Sequence, residues 1–229
     1  MDKERLLEAT AQVRVPPLQV VQQAVKYEWT FPVGHCPSEI ESHEEPPIRL
    51  DERFDIIPID GVLGLYTPAT QRITIFRKGI LRVAEILNVL EDDLAFVVRL
   101  HEWNHALVHI GLLQADRLRV TADDSLWPSC LEEATTLFKE LDPELHERLA
   151  QLLTSHGLRT MQALSTLPEA KATLERIADS LKKLTRRAPR EYQIDEYVEV
   201  PKDRIVKSIR LLKSRSLVGL STWDTVIKW

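Results

Sequence analysis

The chain has 229 residues, 44% hydrophobic and 28% charged, with a formal net charge of −5. That is the composition of an ordinary globular protein, and its acidic balance argues against nucleic acid as a partner. No apolar run is long enough to span a bilayer, no apolar signal core follows Met1-Asp2-Lys3-Glu4-Arg5, and Cys36 and Cys130 are too few for a disulfide framework. A cytoplasmic protein with free thiols is the expectation.

Taken in order, residues 4–12 fit a short helix that stops at Val15-Pro16-Pro17, and Leu18 to Val25 fits an amphipathic helix. Tyr27 to Val33 is aromatic and β-branched and reads as extended. His35 to Pro58 is rich in Pro and Glu with few periodic apolar positions, so a surface insertion is expected there. Gly61 to Tyr66 and Arg72 to Phe76 read as two strands joined by the turn chemistry of Thr67-Pro68-Ala69-Thr70. Ile80 to Leu90 and Leu94 to Ile110 read as helices, the second capped by Asp92 or Asp93 and closed by Gly111. After a connection from Gln114 to Ser129 comes a helix at Leu131 to Leu141, ended by Asp142-Pro143. Glu144 to Leu153 and Thr160 to Leu184 read as helical, Tyr192 to Val200 as a short strand, and Asp203 to Leu212 as a helix. The fold class expected is α+β, with one core at residues 15–143 and a mostly helical region at 144–229. The basic runs from Lys182 to Arg190 and from Lys207 to Arg215 read as solvated faces.

The chemistry sits in the second of these helices, at His101-Glu102-Trp103-Asn104-His105, an HExxH motif. Residues four apart share a helix face, so the two imidazoles can grip one Zn²⁺. Glu102 lies about 100° round the helix, where it can act as general base toward a metal-activated water without being a ligand. Two His and a Glu in so apolar a helix would be costly to bury without a purpose. A catalytic zinc site needs a third protein ligand and an open position. Leu131 to Phe138 is the expected source, and Glu132 is preferred to Glu133 because Thr136, one turn on, offers a hydroxyl to a ligand histidine. Tyr66, His109, Tyr192 and His156 are the candidate donors to a developing oxyanion.

The order of these motifs resembles the ImmA/IrrE family of zinc metallo-endopeptidases. The resemblance runs from Val15-Pro16-Pro17-Leu18 and Tyr27-Glu28-Trp29 through Gly64-Leu65-Tyr66-Thr67-Pro68 and Ile73-Thr74-Ile75 to the HExxH segment. It ends at Glu132 through Phe138 with Leu141 and Pro143. The chain carries Thr135-Thr136 where the family usually has Ala-Asn, and a charged Arg99 before the motif. The resemblance implies a minimal zincin-like core, a zinc cofactor, a gluzincin ligand set of His101, His105 and Glu132, and hydrolysis of a peptide bond in a regulatory protein. Zincins take an extended peptide on a strand edge, so Thr74 and Ile75 are the expected substrate contacts. The rival expectation is an inactive zincin-like binding protein, its zinc closed by Asp123, Asp124 or Cys130 as fourth ligand.

Overall fold

The computed structural model describes residues 35–50, 56–112, 125–193 and 207–208. The elements expected at 4–12, 18–25, 27–33 and 194–200, most of that at 203–212, and Asp123 and Asp124 lie outside those residues. The described chain is α+β. It has a mixed sheet of three strands, β1 (Ser38–Ser42), β2 (Gly64–Thr67) and β3 (Arg72–Phe76). Five helices follow: α1 (Arg77–Leu87), α2 (Glu91–Ile110), α3 (Trp127–Glu140), α4 (Pro143–Leu164) and α5 (Pro168–Arg187).

β2 and β3 are the expected hairpin, antiparallel with Leu65 opposite Thr74 and Tyr66 opposite Ile73. β1 was not expected. It comes from the segment read as a surface insertion, and it pairs parallel with β3 from Ser38 opposite Arg72 to Ser42 opposite Phe76. Its sequence, Ser-Glu-Ile-Glu-Ser, is exposed along nearly its whole length, so no apolar alternation betrays it. What anchors it is charge. Arg99 on α2 pairs with Glu39 and with Glu41, and the Trp103 indole N–H donates to Glu39 at 3.3 Å. The charged residue before HExxH therefore ties the helix to the first strand. Exposed pairs of this kind are worth at most about 1 kcal/mol each, so they set register more than stability.

The strand order β1-β3-β2 puts β3 in the centre. That corrects the expectation that Ile73 to Phe76 forms an open edge for substrate. Thr74 is paired on both sides, with Ile40 and with Leu65, and Ile75 is a fully buried core residue. Neither has a main-chain edge left for a peptide. Thr74→Pro is therefore a folding lesion. Ring clash and an unmet ladder carbonyl should cost about 3 kcal/mol in chemical denaturation. A folded variant of unchanged stability would mean that β3 is not central.

α2 is buried on almost every side, as its sequence implies, and it packs against β2, β3, α1, α3, α4 and α5. Its start is not side-chain capped. Asp92 is exposed, and Asp93 is buried with both carboxylate oxygens accepting from Arg176 of α5, at 2.9 and 3.2 Å. α4 starts on Asp142, whose side chain accepts the Glu144 N–H at 3.0 Å. It does not break near Gly157 as expected. It runs on because Leu153, Leu158 and Met161 continue its buried face, and the break falls instead before Pro168. Leu145, Leu149 and Leu152 of α4 and Leu174 and Ile177 of α5 lie in one core with Ile73, Ile75 and Leu100. Among the described residues no helix is long and apolar enough to cross a membrane.

Candidate metal centre

His101 and His105 share one face of α2, as the spacing requires, with ring centroids 4.6 Å apart. Opposite them, α4 crosses and delivers Glu147. Nε2 of His101 and Nε2 of His105 stand 3.0 Å apart, and Glu147 Oε2 is 3.2 Å from each. Donor atoms held tetrahedrally around a metal at about 2.0–2.1 Å are separated by about 3.3 Å, so these three are spaced as ligands are. A fourth donor, Asp60 Oδ1, is 3.9 Å from His105 Nε2. Asp60, His101, His105 and Glu147 offer atoms that all lie within 4.8 Å of one another, and this group could hold a metal ion.

The electrostatics point the same way. Three carboxylates, from Asp60, Glu102 and Glu147, converge on two imidazoles in a buried place. Without a cation the group holds together only by taking up protons. Burial alone would lower the His105 ring, but Glu147, Asp60 and Glu102 together raise it to about 10. Burial and then Glu147 push Asp60 up to about 8. Burial would raise Glu147, yet the two histidines hold it well below the usual carboxylate range. His101 is lowered, chiefly by burial. A divalent cation would replace those protons and satisfy the same carboxylates. The orphaned atoms agree with this: Asp60 Oδ1 and both oxygens of Glu102 are buried without a hydrogen-bond partner among the described residues.

Glu102 is fully buried and lies against β2. Gly64 makes room for it. A Cβ there would sit 2.7 Å from Glu102 Oε1 and 2.7 Å from Val98 Cγ1. Burial and then the Asp60 carboxylate raise the Glu102 carboxyl well above its ordinary value. Gln151, one turn beyond Glu147, favours the protonated form of His101, and its amide is held by donating to Thr185 Oγ1 at 2.7 Å. Asn104 donates to Thr154 Oγ1 at 3.0 Å, on the same helix pair. Tyr192 lies over His101, with ring centroids 5.5 Å apart, and burial raises its hydroxyl well above the ordinary value.

No protein-family model, curated protein or solved structure matches the chain.

The expected site residues divide as follows. His101, Glu102 and His105 come together. Glu132 is not in the metal group, and Glu147 takes the place expected of it. The reason is the phase of α3. Trp127, Cys130 and Ala134 form its buried stripe, which turns Glu132 and Thr136 out to solvent. Thr136 Oγ1 donates to the Glu132 carbonyl at 3.0 Å, and it is the neighbouring Thr135 that points inward. Cys130 is buried but outside the group as well. Tyr66, His109 and Thr135 form a separate buried chain, with contacts of 2.8 Å at His109 Nδ1 and 3.2 Å at its Nε2. Burial lowers His109 to about 3, so the ring is neutral and donates through one nitrogen while accepting through the other. His156 is likewise outside the metal group, on α4, its ring lowered by burial and then by Arg159. Of the expected oxyanion donors, Tyr192 is the one packed on a candidate ligand. Asp60 was not expected at all, since nothing local in Ile59-Asp60-Gly61 signals a ligand.

Proposed function

We propose that this protein is a zinc-dependent endopeptidase of the ImmA/IrrE kind, with His101, His105 and Glu147 as ligands and Glu102 as general base. One observation carries the reading: an HExxH pair meets a buried carboxylate at ligand spacing, while the motif's own Glu stays unliganded beside it. Two imidazoles and a carboxylate are a donor set suited to Zn²⁺. Bound there, the metal would supply a Lewis acid for the scissile carbonyl and an acidified water.

The side chains of this chain do the rest. Glu102 takes the proton of the attacking water and later returns it to the leaving amine. Burial raises its carboxyl well above the ordinary value, which makes it the stronger proton acceptor. Tyr192 keeps its proton and can donate to the developing oxyanion. The peptide would lie along β2, the sheet edge that runs beside Glu102, where main-chain groups hold an extended chain. A regulatory protein is the substrate the family resemblance favours.

The second reading, a binding protein with a closed structural zinc, is favoured by Asp60 as fourth donor. Elemental analysis joined to a peptide-library digest separates the two. One zinc per chain and cleavage abolished by chelation are expected. Bound zinc without any cleavage would favour the second reading, and no stoichiometric metal would defeat both.

A further inference from the structure

Solvent reaches the four candidate ligands unequally. The side chains of His101, His105 and Glu147 are 0%, 3% and 8% exposed, whereas that of Asp60 is 36% exposed. Asp60 therefore lies on the open side of the group, where a peptide has to enter. Its Oδ1 is nevertheless shielded, lies within the donor group and has no hydrogen-bond partner among the described residues. At 3.9 Å from His105 Nε2 it is also the loosest donor, about 0.6 Å beyond a tetrahedral edge. Catalytic sites keep one position open for water, and here a carboxylate stands at it.

We propose, resting on the metallopeptidase reading above, that Asp60 is a displaceable fourth ligand: it closes the metal centre at rest and leaves it when a peptide enters. The main chain around it is not built to swing. The buried Ile59 accepts through its carbonyl from the N–H groups of Val62, Leu63 and Gly64, at 3.3, 2.9 and 3.3 Å. Gly61, at φ 75°, donates to the Gly64 carbonyl at 2.7 Å. This tight turn fixes where the Asp60 side chain starts, so its release is a rotation about its own bonds toward solvent. Such rotations are fast in exposed side chains, and the departing carboxylate is hydrated as it goes. A ligand as deep as Glu147 has no comparable way out, which separates the two carboxylates by role: one holds the metal, the other guards it.

Acetohydroxamate reads the guarded position directly. The full chain is loaded with one Co²⁺ and titrated with it, binding being followed in the visible spectrum, for wild type, Asp60→Ala and Asp60→Asn. If Asp60 occupies the metal in about nine-tenths of molecules, removing it should tighten the probe about tenfold. Both variants should keep one metal per chain and show an altered cobalt spectrum before any probe is added. Equal probe affinity in all three proteins would mean that Asp60 is never on the metal. Loss of metal from both variants as complete as from His101→Ala would make Asp60 a permanent structural ligand. Either result overturns the proposal. The near-isosteric Asn variant, checked by circular dichroism, keeps a misfolded Ala variant from deciding the matter. Peptide cleavage by the metal-loaded wild type is scored separately. Its absence counts against the peptidase reading alone, because the probe reports the metal position whether or not a peptide is cut.

Discussion

Glu102→Gln is expected to keep its metal and lose peptide cleavage by about 10²–10⁴, the usual worth of a general base. The amide has nearly the shape of the carboxylate but cannot take up a proton. The fold should not suffer. Glu102 is fully buried, both its oxygens lack hydrogen-bond partners among the described residues, and two further carboxylates converge on the same place. Burial and then the Asp60 carboxylate raise the Glu102 carboxyl well above its ordinary value, so in the metal-free protein the amide replaces a protonated group of nearly the same shape and the variant should be about as stable as the wild type. Titrating metal into the variant and timing cleavage of one chosen peptide measures both halves of the expectation. If Glu102→Gln loses metal as fully as His101→Ala, then Glu102 is itself a ligand and the base lies elsewhere.

The parts of this site that could be read from sequence are those written in local spacing. His101 and His105 share a helix face by arithmetic, and the long apolar run around them says that the helix is buried. The hairpin of β2 and β3 is legible because turn residues separate two β-branched runs. β1 is not, because its partners are ionic and lie on α2, far along the chain. The third carboxylate of the candidate metal group is not written in local spacing. Glu132 and Glu133 lie nearer to the motif, yet the stripe Trp127, Cys130, Ala134 sets the phase of α3 and turns Glu132 outward. A usable signal did exist in α4. Glu147, Gln151 and Thr154 recur at spacings of a helical face in the middle of a buried apolar surface, and polar residues in that position need partners. Glu147 meets His101 and His105, Thr154 accepts from Asn104, and Gln151 donates to Thr185. Asp60 carries no such pattern, because a turn residue is brought to a site only by the packing of the turn that holds it.

Glu147→Ala should lower metal affinity by at least about 10³, beyond the 10–100-fold that loss of an outer partner typically costs. Its Oε2 is one of three donors at ligand spacing, and it touches both histidines. The remaining carboxylate, Asp60, is farther off and partly in solvent, so with the two histidines it makes a looser donor set than Glu147 does. The same substitution should change the metal-free protein in a way that no lesion on α3 would mimic. Glu147 carries the charge that does most to raise His105 to about 10 against the effect of burial. Without Glu147 that ring should titrate lower, and the stability its proton brings should vanish at lower pH. The sign follows from linkage: a group whose folded pKa is raised stabilises below its unfolded value, and that stability is lost as pH rises through the folded pKa. Wild-type metal-free protein should therefore carry its full His105 contribution below about pH 6.5 and lose it progressively up to about pH 10, whereas in Glu147→Ala the loss should be complete at lower pH. Glu132→Ala, on the exposed side of α3, should change neither metal affinity nor this pH profile. Competition titrations of zinc with a chromophoric chelator, run on both variants, make the comparison direct. A large loss with Glu132→Ala and none with Glu147→Ala would return the third ligand to α3 and require α4 to lie elsewhere than across the two histidines.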